Sequence, residues 1–155
     1  MNTEIALVKL KGIAERPRLE AFLMLSDGWT TPALSQRVDL SSFAEKILQN
    51  GTAFMAVTAV NRDIGVAAFY SNESIRHRAY LTHLAVNPEY QNRGVGKALL
   101  DETREFSKSK GMTSMLLEVY RSNETARRFY ASCGFTETEI EGDKSGNSIH
   151  MVCSL

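Results

Sequence analysis

Cysteine is scarce in this chain of 155 residues: Cys133 and Cys153 are the only two, with no CxxC spacing. That argues against a disulfide-stapled scaffold and fits a reduced, cytoplasmic protein with two ordinary apolar thiols. An excess of one charge is missing too. Lys and Arg number 18, Asp and Glu 18, so the formal net charge is zero, and no overall field draws in nucleic acid or an anionic membrane. No apolar run has the length of a membrane span, and the opening MNTEIALVKLKGIAER is broken by Glu4, Lys9 and Lys11, a poor leader peptide. With three prolines, no repeat and no low-complexity tract, nothing marks a linker. One domain over residues 1–155 is expected, large enough to bury a core without staples. The three histidines show no metal-ligand spacing, so no metal is expected, and no GxSxG nucleophile elbow occurs.

What is present is alternating texture. Residues 1–40 suit one or two helices, with Pro17 near a helix start, followed by the irregular polar stretch SDGWTTPALSQRVD. SSFAEKILQNG reads as a helix with a serine cap, an apolar face of Phe43, Ile47 and Leu48, and Gly51 as a left-handed stop. AFMAVTAV and IGVAAFYS form a hairpin around NRD, and RAYLTHLAV is a third strand ending at Asn87 and Pro88. Residues 94–110 carry Val95, Ala98, Leu99 and Phe106 on one helical stripe, with Lys97, Asp101, Arg104 and Lys108 toward water. TSMLLEVY is a strand, NETARRFYASCG a short helix between Asn123 and Gly134, and FTETEIEG with SIHMVCSL a closing hairpin around DKSGN. Strands and helices in this order predict a mixed α/β sheet with helices packed on it.

The densest chemistry lies in NPEYQNRGVGKALLDE. A phosphate loop of the P-loop kind needs glycine where Gln91 stands and Ser or Thr where Ala98 stands. A dinucleotide fingerprint needs glycine at Leu99. Both patterns fail. A strand-turn-helix with Gln91, Arg93, Gly94 and Gly96 still leaves free N–H groups at a helix N-terminus, where the dipole favours an anion. Glycines there let a pyrophosphate approach the backbone. A plain tight turn opening a helix would read the same.

QNRGVG after LAVNPEY resembles the acetyl-CoA signature of the GNAT superfamily of N-acetyltransferases, Gln/Arg-x-x-Gly-x-Gly/Ala. LLEVYRSNETARRFYASCGF is similar to that family's second half: a strand, an Asn, then Ala, Tyr and Gly-Phe at set spacings. The resemblance covers residues 52–155 well and the first 50 poorly. It implies the GNAT fold, a mixed, mostly antiparallel central sheet splayed between its fourth and fifth strands with helices on both faces. It also implies acetyl-CoA as cofactor. The pyrophosphate would rest on Gln91, Asn92, Arg93, Gly94, Val95, Gly96 and Lys97, and the pantetheine arm would bond along Leu84, Ala85 and Val86 like an added strand. A backbone N–H near Val86 would then face the acyl oxygen.

Acetyl transfer to an amine needs a general acid for the leaving thiolate and a base for the amine. Asn123 and Tyr130 are seven apart, so on a helix they lie nearly on one line, and both could face the pantetheine arm. Tyr130 is the candidate acid, with the alternative that it is a core aromatic beside Phe129. Asn123 could equally be only a helix cap. Glu118 interrupts an otherwise apolar strand. A buried carboxylate there would have its pKa raised by desolvation toward a base's range, and the alternative is an ion pair with arginine. LEV, with the asparagine and tyrosine downstream, is also similar to bacterial GNAT enzymes that acetylate protein N-termini, where this glutamate is the base.

Strict alternation along AYLTHLAV places Tyr80, Thr82, Leu84 and Val86 on one face and His83 with Ala85 on the other. Relatives often carry a catalytic carboxylate or histidine at the positions of Tyr80 and Thr82, which throws the burden of base on Glu118 or water. The acceptor pocket is expected from SDGWTTPALSQRVD, with Trp29, Arg37 and Asp39, and from Tyr70, Asn72, Tyr80 and Thr82. Residues 33–47 with AAFYSN resemble GNAT enzymes found with bacterial surface-polysaccharide genes. The expected activity is direct acetyl transfer to the primary amine of a small molecule, an amino sugar among the candidates. Acetylation of a protein N-terminus or lysine, and a non-catalytic acetyl-CoA-binding module, are the alternatives. No nucleic-acid or membrane partner is expected; a homodimer stays open.

Overall fold

The structure is a computed structural model that describes residues 4–140 and 146–155. Seven strands form one sheet in the order β1-β2-β3-β4-β5-β7-β6. They are β1 (Ile5–Lys9), β2 (Thr52–Thr58), β3 (Asp63–Tyr70), β4 (Arg78–Val86), β5 (Ser114–Tyr120), β6 (Thr136–Thr138) and β7 (Ser148–Ser154). The β4–β5 pair is parallel, and every other pair is antiparallel. Helices α1 (Arg16–Ser26) and α2 (Leu40–Asn50) cover one face. Helices α3 (Val95–Ser109) and α4 (Glu124–Ser132) cover the other.

Two inner strands, β2 and β3, are buried nearly end to end, which is what helices on both faces require. On the α3 side Phe54 and Phe69 stack at 5.8 Å between ring centroids, and Phe106 of α3 meets each edge-on at 5.7 Å. A fully buried side chain of this size contributes about 1.5–3 kcal/mol relative to exposure. A Cβ on Gly65 would stand 3.0 Å from Leu99 Cδ1, so the glycine lets α3 settle close to β3. On the opposite face Leu19, Phe22, Leu23 and Ser26 make the buried stripe of α1, and Arg18 pins that helix to β3 through two hydrogen bonds to Asp63, at 3.0 and 2.8 Å.

Several local expectations are corrected. The N-terminal segment is not wholly helical: Ile5–Lys9 is a strand that pairs with β2. As an edge strand it has a single neighbour and tolerates charged flanks, so its pattern does not announce it. Helix α2 is capped by Asp39 rather than by a serine; its carboxylate accepts from the Ser42 N–H at 2.9 Å. Gly51 is extended, not left-handed. A Cβ there would lie 2.6 Å from the Phe69 carbonyl oxygen, so space rather than conformation demands glycine. Arg104 does not simply face water. Its guanidinium donates to the Cys133 carbonyl at 2.5 Å and to Asp101 at 2.8 Å, tying α3 to the end of α4. Of the closing hairpin, residues 141–145 lie outside the described residues.

Candidate active site

The site begins where two strands part. β4 and β5 pair only from Arg78↔Ser114 to Leu81↔Leu117. Beyond that point Thr82–Val86 and Glu118–Tyr120 have no partner in each other. The register of β3 on β4 shifts at the same place: Phe69 faces Leu81 but Ala68 faces His83, leaving Thr82 as an extra residue. Such a bulge bends its strand and increases the local twist, which helps β4 turn away from β5. It also reverses the side chains. Leu81 packs on the α3 side, whereas His83 meets Phe43 of α2 and Ala85 joins the α1/α2 core. The expected common face of Tyr80, Thr82, Leu84 and Val86 is therefore corrected. Tyr80 pairs with Tyr70, which packs on the α1/α2 core, while Leu84 and Val86 pack toward α3.

Main-chain direction follows from the same ladder. The Asn87 N–H donates to the Ile64 carbonyl on β3 at 2.7 Å. Because N–H and C=O alternate sides along a strand, Ala85 also turns its main chain to β3. Leu84 and Val86 turn theirs into the gap. The Val86 carbonyl there receives the Gln91 side-chain amide at 3.3 Å.

The turn after β4 opens α3. Asn92 and Gly94 both have left-handed φ values, 62° and 82°, and the first-turn N–H groups of Val95, Gly96 and Lys97 have no preceding helical carbonyl to bond. Arg93 is exposed, with its guanidinium 5.4 Å from the Tyr90 ring centroid. Lys97 is paired with Asp101 at 2.7 Å. The glycine at 96 has a packing reason as well: its Cβ would lie 3.4 Å from Phe129 of α4.

A cavity of about 120 Å³ occupies the gap, and its lining includes Thr82, Leu84, Glu118, Asn123, Tyr130 and Arg37. Asn123 caps α4, accepting from the Ala126 N–H at 3.2 Å. Tyr130 stacks edge-on with Phe129 and Phe135, and burial pushes its hydroxyl pKa up, so the phenol stays protonated. Glu118 departs from expectation. Its side chain is 37% exposed rather than buried, because β5 has already lost its β4 neighbour at that point. No arginine pairs with it among the described residues. Its carboxylate accepts from Ser148 Oγ at 2.5 Å and lies 3.8 Å from His150 Nε2.

The sequence profile of the acetyltransferase (GNAT) family matches residues 19–135. The chain belongs to the GNAT family. It is 37% identical over 75 residues to the [ribosomal protein bS18]-alanine N-acetyltransferase of Escherichia coli (strain K12), covering 48% of this chain and 51% of that one. To the spermidine N(1)-acetyltransferase of Thermoplasma acidophilum it is 32% identical over 80 residues, 52% of this chain and 50% of the other. The chain spans about half the length of these curated relatives. In fold it is similar to the crystal structure of the PaiA N-acetyltransferase from Thermoplasma acidophilum in complex with coenzyme A. The TM-score is 0.72 with 24% identity, over 98% of this chain and 99% of that one. The parting of β4 from β5 and the helices on both sides of the sheet are thus the GNAT architecture.

Not all the residues expected at the acceptor end of this GNAT site reach the cavity. Arg37 and Thr82 do. Trp29 packs edge-on against Phe22 at 5.7 Å, Tyr70 against the α1/α2 core, and the Asn72 amide donates to the last carbonyl of α2, that of Asn50, at 2.9 Å. Tyr80 is partly buried and lies outside the lining. Besides Arg37, the polar loop contributes Thr30, Thr31 and Pro32, which composition alone does not single out. His83 lines the floor while 9% exposed; burial and the nearby Arg37 charge lower its pKa to about 4. Ser148 and His150, which hold Glu118, come from a strand 30 residues downstream and carry no local signal. Among the described residues no cluster of metal-ligating side chains occurs, and no helix is long and apolar enough to cross a membrane.

Proposed function

We propose that this chain transfers an acetyl group from acetyl-CoA directly to a primary amine, most simply that of a small molecule. The observation that carries the reading is the gap between β4 and β5, with Tyr130, Asn123 and Glu118 on its wall and a glycine turn at the head of α3. The gap-facing main chain of Leu84 and the Val86 N–H fit a pantetheine arm, and the Val95–Lys97 N–H groups fit a pyrophosphate. When bound, acetyl-CoA supplies an activated acyl thioester. The Val86 N–H would then donate to the acyl oxygen as it gains charge. Glu118 takes the proton of the incoming amine, directly or through water, and Tyr130 gives its proton to the departing sulfur. The two cores share one sheet, which supports treating residues 1–155 as one domain.

A peptide N-terminus is the second reading, favoured by the likeness to the enzyme named for the alanine of ribosomal protein bS18. A panel of free amines and N-terminal peptides, followed by thiol release, separates the two. The cofactor is tested first, by melting the protein with acetyl-CoA, ATP or NAD. Ligand at about 100 times its Kd adds about 2.7 kcal/mol, which corresponds to roughly 5–11 °C for a chain of this size. A shift of that order with acetyl-CoA alone supports the reading. No shift with any of the three removes it.

A further inference from the structure

The charges around the cavity are unequally committed. Glu118, the single carboxylate among the described residues of the lining, is held by Ser148. Among the described residues Arg37 is the single arginine or lysine there, and its side chain is exposed. Two acids of the same loop, Asp27 and Asp39, are hydrogen-bonded to serines rather than to Arg37. Asp27, close enough to act on His83, accepts from both the backbone N–H and the hydroxyl of Ser35, at 2.9 and 2.5 Å. Asp39 accepts from the backbone N–H and hydroxyl of Ser42, at 2.9 and 2.8 Å. Among the described residues no carboxylate lies within ion-pair distance of Arg37.

We propose that Arg37 is a specificity-determining residue and that the acceptor is a small primary amine carrying its own anionic group, a carboxylate or a phosphate. This rests on the acetyltransferase reading of the same site. A planar guanidinium presents a fork of donors that matches either anion. It stands in the cavity wall with the carboxylate that would receive the amine's proton, so an acceptor with one positive and one negative end is complementary to the pair. A polyamine is not. After its reacting nitrogen met Glu118, its remaining ammonium groups would find no second carboxylate among the described residues of the lining and would face Arg37 and neutral surface. Leaving charges of one sign unmatched is a means of rejecting a competitor.

The test uses the full chain, acetyl-CoA and matched amines: glucosamine 6-phosphate against glucosamine, alanine against alaninamide, with spermidine and an N-terminal alanine peptide as further arms. Thiol release should favour the acid-bearing member of at least one pair by about 10-fold or more in kcat/KM, the scale of one charge-assisted hydrogen bond. The favoured pair distinguishes phosphate from carboxylate. Arg37→Gln should abolish that preference through KM while leaving coenzyme A affinity unchanged, and Arg37→Lys should keep part of it. The proposal is overturned if the neutral members, spermidine or the peptide are preferred. It is also overturned if R37Q keeps the wild-type preference, or if R37Q loses coenzyme A affinity, which would assign Arg37 to the cofactor's phosphates. Turnover of no amine, with the acetyl-CoA melting shift intact, counts against the acidic acceptor as well. Loss of that melting shift instead defeats the acetyltransferase reading itself.

Discussion

His83 should make the protein acid-labile in a way a single substitution can isolate. The imidazole meets the Phe43 ring edge-on, with centroids 6.2 Å apart, and is 9% exposed. Burial, reinforced by Arg37 and opposed by Asp27, lowers its pKa from the ordinary 6.5 to about 4. The native state therefore refuses a proton that the unfolded chain accepts. The contribution is complete above about pH 6.5 and is lost as the pH falls toward 4. At about 1.36 kcal/mol for each pH unit across that window, the full loss is about 3 kcal/mol. Between about pH 7.5 and about pH 5 it amounts to about 2 kcal/mol, a large share of a typical 5–15 kcal/mol. With a urea m-value of about 2 kcal/mol/M, the midpoint contributed by this residue moves by about 1 M. His83→Gln keeps a polar side chain that does not titrate. Urea titrations at both pH values should show the variant losing about 1 M less than the wild type, whatever its absolute stability, since the carboxylates titrate in both proteins. Equal pH dependence in the two would refute the assignment of a buried, neutral imidazole.

Tyr130→Phe should lower kcat by about 100-fold or more, the usual scale for a lost general acid, while the acetyl-CoA melting shift is kept; full activity would place the phenol in packing alone. Glu118→Gln should lower kcat/KM by a similar factor with cofactor binding intact, and an unaffected rate would leave deprotonation to water. Gly51→Ala should destabilise by about 1–3 kcal/mol through overpacking, because the new Cβ meets the Phe69 carbonyl at 2.6 Å; denaturant midpoints will show it. Gly94→Ala, in open space but with φ of 82°, should cost about 1–2 kcal/mol from backbone conformation alone, and a cost near zero would mean that the turn relaxes.

The alternation of apolar strands, the amphipathic helix after β4 and the glycine turn are local properties, and they placed β2 to β5, α3 and α4 near their observed bounds. Neighbouring residues were enough, because strand and helix periods are written into consecutive side chains. The same logic paired Asn123, which caps α4, with Tyr130 within it, and both line the cavity. Non-local facts could not be read this way. β1 is a strand only because β2 offers it an edge, and α1 hides its stripe behind exposed Met24 and Leu25. The bulge at Thr82 depends on β3 and reverses the side chains on either side of it, so an alternation counted straight through gave Tyr80 the wrong face. Glu118 looked buried because its neighbours in sequence are apolar, yet the strands part beside it, and its partners Ser148 and His150 arrive from β7. Sequence determined which elements form and where the glycine turn lies. Tertiary structure alone decided where the sheet opens, which charges meet water, and which of them are left without a partner, because each depends on contacts between residues far apart in the chain.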